Sequence, residues 1–262
     1  MPTTHEVVIV DDRDDPRIVE FVGMRDPVVR RDLQCFIAEG PDVVRQCVDL
    51  KLELVSALVD GRNPVPAFLP PGCRVLAASP TLIGQITGLG VHRGVLALVR
   101  RPLERAPVDV LAAARRVVVL EGVENPVNVG LIARSAAGLG MDALLIDPTS
   151  ADPLYRRAVT ASRGATLHLP WARIDSVAWF LADNPSFATV ALTPDPLAPS
   201  MRSLRLPSVD RVALIVGAEG PGLDVATMRS CTFKARIPMT PIVDSLNVAT
   251  AVAIACWELA AR

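Results

Sequence analysis

Hydrophobic positions fall into two series of short apolar runs along the chain, each run separated from the next by turn-forming residues. In the first series, Phe36-Ile-Ala-Glu-Gly40 reads as a strand ending in a turn. Pro41 to Cys47 then places Val43, Val44 and Cys47 on one helical face. Glu53 to Val59, Arg74 to Ala78 and Gly94 to Val99 are further strand-like runs. Gly61-Arg-Asn-Pro-Val-Pro66 and Pro70-Pro-Gly72 between them are turn chemistry. Ser79-Pro80-Thr81 predicts a helix start, with Ser79 as the N-cap and Pro80 at the first helical position.

A polar stretch with prolines, Arg100 to Pro107, precedes the second series. That series opens with the strand Arg116-Val-Val-Val-Leu120. A helix follows over about Val129 to Leu139, stopped by Gly140, and then a strand over Ala143 to Ile146. After another helix come strands at Ala188 to Leu192 and Val212 to Val216, then a helix, a strand and a final helix from Leu246 to Ala261. Strands alternating with helices predict an α/β fold with a mostly parallel sheet covered on both faces. The expected division is a smaller N-terminal α/β domain at 1–101, a linker at 102–115 and a second domain at 116–262.

Composition sharpens this picture. Half of the 262 residues are hydrophobic, yet only 4% are aromatic, so the core must be built from Val, Leu, Ile and Ala. That suits buried strands under Ala-rich helices. The formal net charge of -1 gives no overall basic signal for nucleic acid. Nearly all cations are Arg, with Lys51 and Lys234 the only lysines, a usage that a GC-rich genome also produces. Cysteines stand at 35, 47, 73, 231 and 256, with no C-x-x-C pair, so reduced buried thiols are expected rather than a zinc site or disulfides. The longest apolar run, Val248 to Trp257, is far short of the ~20 residues of a membrane span. The N-terminus is acidic at Asp11 to Asp15 rather than basic and then apolar, so a secretion signal is not expected there.

Candidate chemistry sits in three segments just past strand-like runs. The first is Glu121-Gly-Val-Glu-Asn-Pro-Val-Asn-Val-Gly-Leu-Ile-Ala-Arg134. Asn125-Pro126 is a turn, and Asn128 is placed at the N-cap of the next helix. Arg134 interrupts a small apolar face, where a guanidinium needs acceptors: an RNA phosphate or ribose, or a salt bridge to Glu121 or Glu124. The second is Gly217-Ala-Glu-Gly-Pro-Gly222, after the apolar run Ala213 to Val216. Glycines there allow close backbone approach to a flat ligand at the carboxyl end of a buried strand. The third, Ile237-Pro-Met-Thr-Pro-Ile-Val-Asp-Ser-Leu-Asn247, places Asp244 or Ser245 at the N-cap of the last helix. Its irregular apolar run is explained if a ligand or a second subunit covers it.

In this order the three segments resemble the signature motifs of the SpoU/TrmH branch of the SPOUT methyltransferases, over roughly Arg116 to Arg262. Asn128 and Arg134 match the first motif, Gly217, Glu219 and Gly220 the second, and Ser245, Leu246 and Asn247 the third; Ala161-Ser-Arg-Gly-Ala165 is a further landmark. The resemblance implies a C-terminal α/β-knot, trefoil-knotted with a mostly parallel sheet, and a homodimer with the last helix in its interface. It implies a cytoplasmic, non-membrane enzyme that moves a methyl group from S-adenosyl-L-methionine to a ribose 2′-hydroxyl of RNA. Thr193, Gly217, Ile237 and Leu246 would contact the cofactor, and no metal is implied. Arg134 would sit at the ribose, with Asn128, Glu219, Ser245 and Asn247 orienting it, the ribose and the motif loops.

The family view makes the arginine the base. A guanidinium with a pKa above about 12 hardly accepts a proton. Arg134 is therefore read as lowering the hydroxyl's pKa and clamping a phosphate, while a neighbouring group or water takes the proton. The N-terminal half is similar to a ribosomal-protein-like substrate-binding domain, through Phe36 to Gly40 and Val91-His-Arg-Gly-Val-Leu96. That favours 23S ribosomal RNA as substrate, with Arg30, Arg31, Arg100, Arg101 and Arg105 as candidate phosphate contacts. The alternatives are a transfer-RNA 2′-O-methyltransferase and a catalytically silent RNA-binding or ribosome-associated protein. A Rossmann-type enzyme is disfavoured, because Val117 to Leu120 leads into no Gly-rich turn.

Overall fold

The computed structural model describes residues 5–23, 26–88, 94–206 and 211–260. Residues 91–93 of the segment Val91 to Leu96, and Ala261 of the last helix, lie outside the described residues. The chain divides into two compact units: Met1–Leu103 with Leu154–Leu167, and Glu104–Pro153 with His168–Arg262.

The first unit contains β1 (Val7–Ile9), α1 (Asp26–Leu33), β2 (Cys35–Glu39), α2 (Pro41–Asp49), β3 (Leu54–Asp60), β4 (Arg74–Ala78), α3 (Pro80–Thr87) and β5 (Val95–Arg100). Its sheet runs β1-β4-β3-β5-β2. β1, β4 and β3 are parallel, while β5 is antiparallel to both β3 and β2. Ile18, Phe21, Ile37, Leu58, Leu76 and Ile83 fill one core layer. The α3 start follows the expected chemistry: Ser79 Oγ accepts from the Leu82 amide at 3.2 Å and Pro80 takes the first turn. The pattern of hydrophobic positions predicts neither β1 nor α1.

The second unit contains α4 (Pro107–Leu111), β6 (Arg116–Glu121), α5 (Pro126–Gly138) and β7 (Ala143–Ile146). The chain then supplies α6 (Arg156–Ser162) and most of α7 (Ala165–His168) to the first unit. Back in the second unit follow β8 (Trp171–Arg173), α8 (Val177–Asp183), β9 (Ala188–Leu192), β10 (Val212–Gly217), α9 (Val225–Ser230), β11 (Phe233–Ala235) and α10 (Val248–Ala260). All six strands are parallel, in the order β11-β9-β10-β6-β7-β8. The strands β6, β7 and β10 are almost completely buried, which is why they read as continuous Val/Leu/Ile/Ala runs without alternation. Part of the expected linker is ordered as α4. Arg211 holds its end, donating to the Leu111 and Ala114 carbonyls at 2.5 and 3.1 Å while its guanidinium lies 4.1 Å from the Phe187 ring centroid.

All five cysteines are buried and free. Burial pushes the thiols of Cys47 and Cys256 up to about 12, and those of Cys73 and Cys231 to about 11, so they stay protonated at neutral pH.

Leu154–Leu167 is bound into the first unit by polar contacts. Arg156 Nη1 lies 2.7 Å from Glu39 Oε2, with the two side chains 16% and 7% exposed. The Arg156 amide donates to Asp26 Oδ1 at 2.9 Å. Gln46 Nε2 donates to the Arg163 carbonyl at 3.2 Å, and Arg163 pairs with Asp42. Glu39 and Gly164 thus both belong to segments noted in the sequence. Gly164 has φ +86°, and a Cβ there would stand 2.2 Å from Gln46 Oε1. Removing one partner of a buried pair strands the other charge. Arg156→Ala is expected to lower stability by about 3 kcal/mol in denaturant unfolding, and Arg156→Met with Glu39→Gln to recover most of it.

Candidate active site

In an all-parallel sheet the carboxyl ends of the strands share one edge, where loops form ligand sites. β9 ends there in Thr193-Pro194, and β10 ends in the Gly217–Gly222 loop. These loops, the segment after β11 and the residues ahead of α10 enclose a cavity of about 280 Å³. Thr193, Gly217, Glu219, Ile237, Ser245, Leu246 and Asn247 all line it. Seven of the nine residues expected at the site therefore meet at one cavity. Sequence reasoning missed Leu192, Pro194, Val248 and Ala251, which complete its wall. They are ordinary strand-end and helix residues with no local signal.

Glycine is required at 217 by packing. A Cβ there would fall 2.3 Å from both the Gly222 carbonyl carbon and the Leu223 nitrogen, which are backbone atoms. The loop closes through Gly222 N donating to the Ala218 carbonyl at 3.1 Å, with Gly220 and Gly222 at φ +88° and +75°. Past the loop, Glu121 at the end of β6 accepts from the Asp224 amide at 2.8 Å and from Thr227 Oγ1 at 2.6 Å. Those bonds fasten the start of α9 to the sheet.

Asn247 joins the motif segments. Its Oδ1 accepts from the amides of Ala249 and Thr250 at 3.0 and 3.3 Å. Its Nδ2 donates to Asn128 Oδ1 at 3.0 Å and to Glu219 Oε1 at 2.7 Å. Two expectations are corrected here. The N-cap of α10 is Asn247, not Asp244 or Ser245, because only its side chain reaches the first free amides. The N-cap of α5 is Asn125, whose Oδ1 accepts from the Val127 amide at 3.0 Å, so the helix starts at Pro126. Asn128 lies inside the first turn, 4% exposed and behind Asn247 rather than on the cavity wall.

Arg134 is not gathered into this cluster. It is exposed on α5, does not line the cavity, and forms no hydrogen bond or ion pair among the described residues. Neither Glu121 nor Glu124 pairs with it; Glu121 is committed to α9. Six residues along a helix amount to about 240° of rotation from Asn128, so the two side chains point to different sides. Of the proposed phosphate contacts, Arg31 pairs with Asp32 at 2.6 Å and Arg100 with Glu53 at 3.4 Å. Arg105 is exposed.

A second cavity of about 490 Å³ is lined by Glu121, Asp147 and Asp224. Its carboxylates already serve the fold. Burial pushes the Asp147 carboxyl up, but hydrogen bonds from Ser150, Thr149 and the Gly122 amide outweigh it and hold it below the usual range. The glycine-lined cavity, with its apolar walls and a single carboxylate, is the one suited to a flat cationic ligand.

A family model described as the SpoU rRNA Methylase family matches residues 115–257. The chain is 38% identical to an uncharacterized tRNA/rRNA methyltransferase of Mycobacterium bovis, over 98% of this chain and 93% of that relative. It is 26% identical to RlmP of Bacillus subtilis, a 23S rRNA (guanosine(2553)-2′-O)-methyltransferase, over 88% of this chain and 90% of that protein. Among solved structures, an AdoMet-bound rRNA methyltransferase from Sinorhizobium meliloti superposes with a TM-score of 0.82 at 25% identity, covering 96% of this chain and 97% of that one.

The cluster makes Asn247 sensitive even to its nearest isostere. Aspartate would keep the helix cap but lose both donors and face Glu219 with a like charge. Asn247→Asp is expected to destabilise the protein by about 2 kcal/mol in denaturant unfolding, and Asn247→Ala by about 1 kcal/mol or more through the lost cap.

Proposed function

The chain belongs to the SpoU rRNA methylase family, and on that premise we propose that it methylates a ribose 2′-hydroxyl of 23S ribosomal RNA, with S-adenosylmethionine as donor. The observation that carries this reading is the meeting of the second and third motif segments at one cavity, with the first tied to them through the Asn247–Asn128 hydrogen bond. The cavity fits the donor chemically. Gly217 lets its loop fold tightly at the cavity edge, Ile237 and Leu246 give apolar walls, Thr193 closes one side, and Glu219 is the single carboxylate. When bound, the donor supplies an electrophilic methyl group on a positively charged sulfur.

The remaining catalytic part is Arg134, which points to solvent within one chain. Leu131, one turn before it on α5, and Ile254 and Trp257 on α10 are exposed apolar residues, and α5 packs on α10. A homodimer through this face would cover them and carry Arg134 to the cavity of the second copy. There the guanidinium would clamp the phosphate beside the reacting ribose and hold the hydroxyl about 3 Å from the methyl carbon. With the family reading goes a trefoil-knotted topology for this unit.

The N-terminal domain, 1–101, would select the RNA in the cytoplasm. Arg31 and Arg100 sit in solvent-exposed ion pairs, which cost about 0–1 kcal/mol to exchange for phosphates. One relative, RlmP at 26% identity, is named for 23S ribosomal RNA, and its name supports that substrate.

Mapping of ribose methylation in RNA from cells with and without the gene tests the proposal. One 2′-O-methyl mark in 23S ribosomal RNA should vanish; a mark lost only from transfer RNA would replace this substrate with the other. Gly217→Ala should abolish donor binding in calorimetry, because backbone has to move to admit the methyl. Arg134→Lys should slow turnover about a hundredfold at saturating donor, since a point charge cannot clamp bidentately. Near-normal turnover of the lysine variant would refute the clamp.

A further inference from the structure

We infer that the Glu219 carboxylate is the group that takes the ribose proton. The inference rests on the reading of the cavity as a 2′-O-methyltransferase site. Methylation of a hydroxyl must release a proton, and few groups at this cavity can hold one. Glu219 is the only ionisable side chain among the residues that line it. Thr193 and Ser245 carry hydroxyls, which relay protons but do not retain them. Asn247 and Asn128 carry amides, which are not basic. Arg134 is held positive by the chemistry of the guanidinium.

The hydrogen bonds single out one oxygen of Glu219. Asn247 cannot flip its amide without losing the two backbone amides that cap α10 on its Oδ1. Its Nδ2 therefore stays aimed at Glu219 Oε1, 2.7 Å away. Glu219 Oε2 is left with no hydrogen bond among the described residues, on an exposed residue at the cavity wall. Asn247 is thus a positioning residue, and the free carboxylate oxygen is open both to a ribose and to water.

The step balances without a further reagent. The ribose 2′-oxygen forms its new bond to the methyl carbon as the methyl–sulfur bond breaks, its electron pair going to sulfur. The O–H bond breaks in the same step and the proton passes to Glu219 Oε2, then to water. Arg134, brought in by the second copy, would stabilise the oxygen as negative charge builds on it.

Glu219→Gln separates this role from a structural one, because the amide oxygen of Gln still accepts from Asn247 but the side chain no longer takes a proton. Single-turnover methyl transfer is measured on the RNA that the wild-type protein methylates, and donor affinity by calorimetry. Glu219→Gln should slow transfer at least a hundredfold, within the roughly 10²–10⁴ range of general-base catalysis, with donor Kd unchanged. Glu219→Ala should regain rate on addition of formate, and more on addition of the more basic acetate at equal concentration. The inference is overturned if the Gln variant transfers within tenfold of the wild type, if weaker donor binding accounts for its whole loss, or if the two added carboxylates fail to rescue in order of basicity. If instead the wild-type protein leaves no 2′-O-methyl nucleoside in the digested RNA, the functional reading itself fails, and the assignment of Glu219 falls with it; a failure of the assignment alone shows only in the variants.

Discussion

The Asn247 carboxamide is the point on which the site's geometry turns. An amide side chain offers two donors and one acceptor oxygen with two lone pairs, and here all are used. The oxygen caps α10, and the nitrogen ties that cap to Asn128 on α5 and Glu219 in the β10 loop. Two segments, 119 and 28 residues away along the chain, are thereby held in one arrangement with the segment of Asn247 itself. No other uncharged side chain combines an N-cap oxygen with two outward donors at that reach, except the longer and looser Gln.

The parallel sheet makes this meeting possible. Because β9 and β10 run side by side in the same direction, their carboxyl ends deliver Thr193 and Gly217 to the same edge. The tight approach of Gly217 to the Gly222 backbone then leaves no room for a side chain, and the loop becomes a backbone surface rather than a side-chain one. A flat, positively charged donor matches such a surface. Glu219 stands where the glycine loop meets the cap of α10, so the same carboxylate braces the loop and faces the cavity.

Different constraints shape the first unit. Its sheet is mixed, and a stretch from the middle of the chain, Leu154–Leu167, completes it. The Arg156–Glu39 pair is nearly buried, so the connection is specific in geometry rather than a loose surface contact. Glu39-Gly40, which reads as a strand end, turns out to hold the anionic half of that pair. The arginines of this unit that stood out in the sequence as phosphate contacts are in part already paired, Arg31 with Asp32 and Arg100 with Glu53.

Strand positions in both units were legible in the chain, because fully buried parallel strands are short runs of Val, Leu, Ile and Ala and because Gly and Pro punctuate them. The motif residues were legible too, since Asn, Glu and Gly just past such runs have few structural reasons to be there. Local pattern misplaced the caps of α5 and α10 by a few residues, as several neighbouring Asn, Asp and Ser side chains have the chemistry of a cap and only the folded backbone selects one. It carried no trace of β1, whose partner strand β4 lies 68 residues further on, of α1, or of the return of Leu154–Leu167 to the first unit, where Asp26, Glu39, Asp42 and Gln46 are more than a hundred residues away. Sequence by itself determined the chemistry available, namely which side chains can donate, accept or carry charge. Tertiary structure alone decided that Asn247 reaches Glu219 and Asn128 while Arg134 faces outward, because hydrogen bonds and helix faces are set by distance and direction in space, which the order of residues does not contain.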